Sequence, residues 1–261
     1  MTTLVFDCDG VLADTERYGH LQAFNEAFAE FGLPLCWSEH EYGEKLRIGG
    51  GKERVGSLLT RSFVVENGLP ASPEGQRDWL RRFHERKTAI YKRIVTEGRL
   101  PARPGIRRIV DSALKAGWTL AVASTSAEES VRAVLEHVLP TEQVGRFAVF
   151  AGDIVTAKKP DPEIYELAMA RLGSSPSETL VIEDSANGLL AARGAGVPCL
   201  ITVSGYTSDE DFSAAALVVT SLGDPDVPMR VIANRSHASP GEYVTLEDLN
   251  AILAPVAEPF R

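Results

Sequence analysis

Short apolar runs alternate with amphipathic stretches along most of the chain. The first run is Leu4-Val5-Phe6, which is typical of a short buried strand. Similar apolar runs recur further along, at 118–123, 147–151, 179–182 and 199–203. Apolar residues at helical spacing predict helices among these runs, at about 106–116, 128–138, 162–172 and from 186 onward. Strands that alternate with helices indicate a parallel sheet with helices on both faces.

One long stretch interrupts this alternation. After a helix predicted over about 15–31, residues 38–97 indicate only further helices, broken by a triple glycine at 49–51. We therefore expect a doubly wound, Rossmann-like α/β core with an inserted α-helical cap domain. The predicted core is discontinuous, formed by residues 1–14 and 97–261, and the predicted cap is formed by residues 15–96. Further strands are expected at about 216–220 and 230–233.

Composition narrows the choice of partners and compartment. The 261 residues include 27 basic and 36 acidic ones, a net charge of -9, with no Lys/Arg-rich block, so nucleic acid is not expected as a partner. The chain shows no export signal and no run near the roughly 20 apolar residues that span a bilayer, so we expect a cytoplasmic protein without a membrane partner. The three cysteines are scattered and fit neither a disulfide framework nor a zinc site. The oligomeric state stays open, and a monomer is compatible with the sequence.

The first strand is followed directly by two aspartates, Asp7 and Asp9, and then by Gly10. In open α/β sheets, ligands bind at the carboxyl ends of the strands, where this motif lies. A carboxylate that attacks phosphorus becomes an acyl phosphate, and a second acid can protonate the leaving oxygen and later deprotonate water. Acidic pairs also cap helices and fill turns, so this motif alone leaves both interpretations open.

Three more polar motifs follow predicted strand ends, namely Ser124-Thr125-Ser126, Lys158-Lys159-Pro160 and Glu183-Asp184-Ser185. Hydroxyl groups before a helix can bind a phosphoryl oxygen, and a lysine can neutralise both a nucleophilic carboxylate and the phosphoryl group. Acids at a second strand end provide hard oxygen ligands of the kind that Mg²⁺ prefers. Taken singly, each motif also fits a helix cap or a surface charge.

The order of these four motifs resembles that of the haloacid dehalogenase (HAD) superfamily, and the resemblance extends to about residue 205. The helical insertion after the first motif is similar to the cap of the subgroup that contains β-phosphoglucomutase and many sugar phosphatases. The resemblance implies that Asp7 is the nucleophile, Asp9 the general acid/base and Ser124 the phosphate ligand. It also implies that Lys159 is the neutralising lysine, with Lys158 as the alternative.

The same resemblance implies a Mg²⁺ cofactor. The ion would be held by Asp7, the backbone carbonyl of Asp9 and Asp184, with Glu183 as a further ligand or as support. True dehalogenases lack an acid two residues after the nucleophile, since a halide leaving group needs no proton, so Asp9 favours phosphate chemistry. Cleavage of a phosphonate through a cap lysine is a minor alternative.

The cap is expected to select the substrate. Its glycine-rich segment contains Gly50, Gly51, Lys52 and Arg54, and a later segment contains His84 and Lys87. These two segments resemble those of the CbbY proteins, which implies that they hold the second phosphate of a sugar bisphosphate.

Further contacts are expected near the first two motifs. Glu16 would contact the sugar, and Thr125 and Ser126 would bind substrate beside Ser124. CbbY proteins often have Thr-Glu-x-x-His after the first motif, which places Gly19 at the histidine position. On an ideal helix His20 points about 100° away from it, which argues against His20 in that role.

Three functions fit this sequence. The leading prediction is a Mg²⁺-dependent phosphatase of a small phosphosugar, a bisphosphate such as xylulose 1,5-bisphosphate, acting through an aspartyl phosphate. The first alternative is a phosphosugar mutase of the β-phosphoglucomutase type, which uses the same motifs. The second is a catalytically inert phosphosugar-binding protein, which would need no nucleophile and so leaves Asp7 and Asp9 unexplained.

Overall fold

A seven-stranded sheet organises the protein. The computed structural model describes residues 2–98 and 100–254, so residues 1, 99 and 255–261 of the predicted core lie outside the described part. The sheet has the order β3-β2-β1-β4-β5-β6-β7, and only β7 is antiparallel to its neighbour. The strands are β1 (Thr3–Phe6), β2 (Thr119–Ser124), β3 (Phe147–Ala151), β4 (Thr179–Glu183), β5 (Cys199–Thr202), β6 (Leu217–Val219) and β7 (Val231–Asn234).

Side chains alternate between two apolar layers, as expected for strands buried on both faces. Leu4 and Phe6 of β1 belong to one layer, and Val5 between them belongs to the other. In the core, the first layer is covered by α6 (Ile106–Lys115), α7 (Glu128–Val138) and α11 (Leu246–Leu253), and the second by α9 (Glu163–Leu172) and α10 (Ala186–Gly194). A short helix, α8 (Thr141–Val144), follows α7. The doubly wound α/β prediction is confirmed.

All regular secondary structure in the inserted region is helical, and turns and loops connect the helices. Its α-helices are α1 (Leu21–Glu30), α2 (Glu39–Leu46), α3 (Gly51–Gly56), α4 (Arg61–Glu66) and α5 (Pro73–Thr96). Local sequence explains where they begin: Ser38 and Glu41 form a capping box at α2, and Ser72 caps α5 with Pro73 at its first position. Stacked and tilted aromatic rings fill the interior of the region, those of Phe24, Phe28, Phe31, Trp37, Tyr42, Trp79 and Phe83.

The helix predicted over 15–31 consists of two parts. Residues Glu16–His20 form a π turn, in which the Leu21 N–H donates to the carbonyl of Glu16, five residues back. A π turn takes up one residue more than an α turn, and such turns are frequent at functional sites. Gly19 allows it to pack closely, since a Cβ there would lie 2.6 Å from Cε2 of Tyr91. The side chains on either side of this turn therefore depart from ideal α-helical directions.

Two adjacent chain segments connect the helical region with the sheet. Ala13 and Ala102 form an antiparallel bridge, and the Arg103 N–H donates to the carbonyl of Leu12 at 3.0 Å. The predicted boundaries after residues 14 and 96 lie close to this bridge, and the division into two domains stays a prediction. In the part of the chain that the structure describes, no helix is long and apolar enough to cross a membrane.

Candidate active site

Three neighbouring strands bring the predicted motifs to one edge of the sheet. In the register of the sheet, Phe6 at the end of β1 pairs with Val122 of β2 and Ile182 of β4. The residues that follow these positions surround a cavity of about 720 Å³ between the sheet edge and the inserted helices. Every predicted site residue lines it: Asp7, Asp9, Glu16, Gly50, Gly51, Lys52, Arg54, His84, Lys87, Ser124, Thr125, Ser126, Lys159, Glu183 and Asp184.

Lys159 makes the closest charged contact with Asp7. Its ammonium donates to Asp7 Oδ1 at 2.7 Å, to Glu183 Oε1 at 2.6 Å and to the carbonyl of Ala123 at 2.8 Å. Burial alone would lower the pKa of Lys159, but the two carboxylates raise it above its ordinary value. Lys159 is thus a fixed positive charge beside Asp7. Lys158, the alternative, points instead to Glu53, at 3.1 Å.

Three acids form a compact cluster at the ends of β1 and β4. One carboxylate oxygen from each of Asp7, Glu183 and Asp184 lies within 4.8 Å of the others. Burial, reinforced by the neighbouring carboxylates, raises the pKa of Asp7 and of Asp184 well above the ordinary value. Lys159 opposes this rise at Asp7. One lysine does not balance three buried carboxylates, so the donor set and its charge fit a hard divalent cation.

Glu183 is the most constrained of the three acids. Besides Lys159, it accepts hydrogen bonds from the Tyr165 hydroxyl at 2.6 Å and from the Asp184 N–H at 3.1 Å. The adjacent Gly188 leaves room for it, because a Cβ there would lie 1.9 Å from the Glu183 carboxyl carbon. This arrangement suits a carboxylate that orients its neighbours as well as one that binds an ion.

Asp9 has a different environment from Asp7. Its Oδ1 accepts hydrogen bonds from Thr15 Oγ1 at 2.5 Å and from His20 Nε2 at 3.0 Å, and its Oδ2 accepts one from Ser126 Oγ at 2.5 Å. Burial alone would raise the pKa of Asp9, but His20 and the hydroxyl donors hold it well below its usual range. The two aspartates of the first motif therefore differ strongly in proton affinity.

A buried lysine continues the chain of contacts behind Asp9. The Lys87 ammonium lies 2.6 Å from Nδ1 of His20. Because an ammonium can only donate, Nδ1 accepts, and Nε2 carries the hydrogen that is donated to Asp9. Burial lowers the pKa of Lys87 to about 8. We call this series of hydrogen bonds, from Lys87 through His20 to Asp9, the relay.

The ideal-helix geometry assumed in the argument against His20 is therefore wrong, whereas the role of His20 stays a prediction. Because a π turn contains one residue more than an α turn, His20 occupies the position that Gly19 would have on an ideal α-helix, and from there it reaches Asp9. Its ring stacks on Tyr91 with 4.1 Å between the ring centres, and Gly19 leaves space for that ring. Lys87, predicted as a ligand of the distal phosphate, also contacts His20 rather than standing free in the cavity.

The hydroxyl turn after β2 lies beside these groups. Ser124 is buried, and its Oγ accepts a hydrogen bond from the Ser126 N–H at 3.1 Å. The turn leads into α7, whose N-terminal residues extend the cavity wall. Hydroxyls and backbone N–H groups at a helix start form a suitable site for phosphoryl oxygens.

Glu16 is held by two residues of the inserted region. Tyr42 donates its hydroxyl to Glu16, and Arg54 donates to the Tyr42 hydroxyl at 3.2 Å and to the carbonyl of Ile48 at 3.0 Å. A guanidinium nitrogen of Arg54 also lies 3.9 Å from Glu16 Oε1. Arg54 thus positions Glu16 in addition to lining the cavity.

Four charges link α3 to the loop after β3, and we call them the cap–core ion-pair cluster: Lys52, Glu53, Asp153 and Lys158. Lys52 lies 3.0 Å from Asp153, while Lys158 lies 3.1 Å from Glu53 and 3.5 Å from Asp153. His84 lies behind Gly51, and burial together with nearby lysines lowers its pKa to about 4. His84 is therefore a neutral hydrogen-bonding group near neutral pH.

Among the cavity residues that were absent from the sequence prediction, two could have been found by the same argument. Asp153 follows β3 and Tyr206 follows β5, both at the carboxyl edge of the sheet. The Tyr206 ring packs edge-on against Tyr42 with 5.9 Å between ring centres, a contact between the core and the inserted region. Thr15 and Tyr165, which support Asp9 and Glu183, carried no recognisable sequence signal.

Comparisons with known proteins agree with this geometry. The family profile of the haloacid dehalogenase-like hydrolases matches residues 1–196. A CBBY-like protein of Arabidopsis thaliana is 44% identical over 224 residues, which cover 86% of this chain and 70% of that protein. The plasmid-encoded CbbY protein of Cupriavidus necator is 42% identical over 232 residues, covering 88% and 89%.

A solved structure is also similar. It is the crystal structure of a mutant CbbY from Rhodobacter sphaeroides in complex with xylulose-(1,5)bisphosphate. It superposes with a TM-score of 0.73 at 36% sequence identity and covers 85% of this chain and 94% of that one.

Proposed function

The chain belongs to the haloacid dehalogenase-like hydrolase family, and from that membership we propose that it is a Mg²⁺-dependent phosphatase of a small phosphosugar. The resemblance noted in the sequence is confirmed, and with it the assignment to the phosphatases of this family. The observation that carries the proposal is the placement of two aspartates of one turn beside different partners: Asp7 contacts the Lys159 ammonium, whereas Asp9 accepts a hydrogen bond from His20. Such a pair offers a nucleophile and an acid/base in one cavity.

The residues present fit a magnesium ion. Asp7 and Asp184, with the backbone carbonyl of Asp9, would hold it, and Glu183 would support them or add a ligand. Hard oxygen donors and an unbalanced negative charge are what this ion requires. When bound, Mg²⁺ would polarise the phosphoryl group and offset the charge that develops on its oxygens.

In the proposed reaction, a carboxylate oxygen of Asp7 attacks phosphorus as the bond from phosphorus to the sugar oxygen breaks. The departing oxygen takes a proton from Asp9, and an aspartyl phosphate remains on Asp7. Asp9, now ionised, then accepts a proton from water as the water attacks phosphorus. Breakage of the phosphorus bond to Asp7 releases phosphate and restores both residues.

The proton affinity of Asp9 must change during this cycle. In the free protein, His20 and the hydroxyl donors favour the ionised form, which suits its action as a base. A doubly charged phosphate bound beside Asp9 raises its pKa by repulsion and favours the protonated form that the leaving oxygen needs. Lys159 would counter the charge of the phosphoryl group throughout.

For the substrate we propose a sugar bisphosphate such as xylulose 1,5-bisphosphate. Two observations support this choice: a relative at 36% identity was crystallised with that compound, and Lys52 and His84 line the cavity in α3 and α5. Lys52 would bind the distal phosphate, and Glu16, fixed by Tyr42 and Arg54, would bind a sugar hydroxyl.

The test is phosphate release from a panel of sugar monophosphates and bisphosphates, with and without Mg²⁺, with the sugar products identified. We expect Mg²⁺-dependent release with a preference for the pentulose bisphosphate, and none from the Asp7→Asn variant, which is nearly isosteric. Conversion of β-glucose 1-phosphate to glucose 6-phosphate with little free phosphate would indicate a mutase instead. The absence of turnover on every sugar phosphate would favour a binding protein.

A further inference from the structure

A half-buried arginine in the second connecting segment donates hydrogen bonds to three separate loops at the catalytic edge. The Arg103 guanidinium donates to the carbonyl of Gly10 at 2.7 Å, to that of Val203 at 2.9 Å and to that of Thr220 at 2.7 Å. These carbonyls follow β1, β5 and β6 respectively. One planar, multiply donating cation therefore ties the turn after the first motif to the rest of the sheet edge.

The turn that is hydrogen-bonded to Arg103 cannot move far without disturbing the cluster of three acids at the ends of β1 and β4. Gly10 has φ of 77°, and a Cβ there would lie 2.0 Å from Oδ2 of Asp184. The peptide before Gly10 carries the Asp9 carbonyl, and the peptide after it carries the carbonyl that Arg103 holds. The Arg103 N–H also donates to Leu12. Arg103 thus fixes this turn through both its side chain and its backbone.

We propose that Arg103 is a positioning residue that sets the spacing between the first motif and Asp184 for cation binding. This inference rests on the proposed function, because it concerns the Mg²⁺ ion of that reaction. Arg103 acts through the peptide of Gly10 and is assigned no contact with substrate. The guanidinium geometry is essential, because two separate nitrogens of Arg103 make these bonds: Nη1 donates to Gly10, and Nη2 donates to the carbonyls of residues 203 and 220. All donors of a lysine share one nitrogen, which cannot occupy both places.

Arg108 provides a matched control. Its guanidinium donates to the carbonyls of Val244 at 2.7 Å and Leu222 at 3.0 Å, and it lies 3.3 Å from Asp224. It belongs to α6 and is not among the residues that line the cavity. Arg108 therefore performs the same kind of carbonyl clamping without touching the catalytic turn.

The experiment measures Mg²⁺ binding by calorimetry on the full chain, with thermal unfolding and steady-state kinetics in parallel. The proteins compared are wild type, Arg103→Lys, Arg103→Met and Arg108→Met. We expect the Arg103 variants to bind Mg²⁺ about tenfold to a hundredfold more weakly, as is typical when a residue supporting metal ligands is lost. At saturating Mg²⁺ their KM for substrate should stay within about twofold of wild type while kcat falls. Arg108→Met should lose thermal stability and keep wild-type Mg²⁺ affinity.

Equal Mg²⁺ affinity in wild type and Arg103→Lys would overturn the inference, as would an equal loss in Arg108→Met. Arg103→Lys keeps the charge and serves as the deciding variant if Arg103→Met does not fold. Failure of the proposed function itself looks different: wild type would then neither bind Mg²⁺ nor release phosphate, and both proposals would fall together.

Discussion

At the residue scale, the most informative group is Lys87, which acts on Asp9 through His20. Below pH 8 the ammonium is charged and donates to Nδ1 of His20, which directs the Nε2 hydrogen to Asp9. Because burial lowers the pKa of Lys87 to about 8, this charge is lost as the pH rises through that value. The position of the proton on His20 is therefore coupled to the charge of a group that need not touch substrate.

We expect kcat/KM of the wild-type enzyme to fall above about pH 8, since kcat/KM reports the ionisation of groups in the free enzyme. Lys87→Arg keeps the charge at all accessible pH values, so its alkaline limb should move upward. Lys87→Met should lose about tenfold or more in kcat/KM at pH 7 and show no such limb. The measurement is a pH profile from 5.5 to 10 on one sugar phosphate. An unchanged limb in Lys87→Arg would contradict the relay.

Asp184 is a buried charge that is expected to cost stability in the metal-free protein. Its carboxylate is buried beside Asp7 and Glu183, and their repulsion adds to the penalty of burial. In metal-free protein at pH 7, Asp184→Asn should therefore increase the free energy of unfolding by about 1 to 2 kcal/mol. The gain should shrink as the pH falls, because wild-type Asp184 takes up a proton around its raised pKa and loses the same repulsion.

The same variant should respond differently to Mg²⁺. Addition of the ion should stabilise wild type and leave Asp184→Asn unchanged, because a ligand that binds only the folded state stabilises it by mass action. Denaturant unfolding with and without Mg²⁺ measures both effects, and Asp111→Asn, which removes a surface carboxylate paired with Lys115, controls for loss of charge. A metal-free Asp184→Asn protein that is less stable than wild type would refute the argument.

At the element scale, the π turn Glu16–His20 decides where the relay lies. Gly19 is required by its packing, because a Cβ would approach Cε2 of Tyr91 to 2.6 Å. We expect Gly19→Ala to destabilise the protein by about 1 to 3 kcal/mol and to lower kcat by shifting His20 from Asp9. Gly145→Ala is the control, since a Cβ at Gly145 meets nothing within 4 Å. Equal unfolding midpoints for the two variants in urea would show that the turn tolerates a larger residue.

The same element shows what the sequence could and could not predict. Strands such as Phe147–Ala151 and helices such as Glu128–Val138 coincide with their predictions, because periodic burial dictates them locally. The π turn depends on Tyr91, more than seventy positions away, so no local pattern indicates it. The helix Leu246–Leu253 was also missed, because it follows a segment without a regular pattern, although its apolar side chains join the same layer as α6.

Site residues also divide into those that a local sequence pattern predicts and those that depend on contacts between distant segments. Asp7, Ser124 and Asp184 were predictable because each continues a strand at a known edge, whereas Arg103 and Tyr165 act through contacts that join distant segments. Side chains that touch the reacting groups are constrained by chemistry, which leaves a recognisable pattern of residue types. Those that support them are constrained by geometry alone.

At the scale of the whole molecule, the cap–core ion-pair cluster places the Asp153 carboxylate beside Lys52, where the second phosphate of the proposed substrate would bind. Lys52 pairs with Asp153 at 3.0 Å, and their side chains are 44% and 68% exposed, so solvent screens the pair and it is weak. A distal phosphate must displace Asp153 from Lys52. An exposed pair contributes roughly 0.2 to 1 kcal/mol, so we expect Asp153→Asn to lower KM for a sugar bisphosphate by about 1.4-fold to fivefold. KM for a monophosphate should stay unchanged. Asp78→Asn, which disrupts a surface pair with Arg81, is the control. A rise in KM for the bisphosphate in Asp153→Asn would contradict the argument and would mean that Asp153 assists closure of the cap.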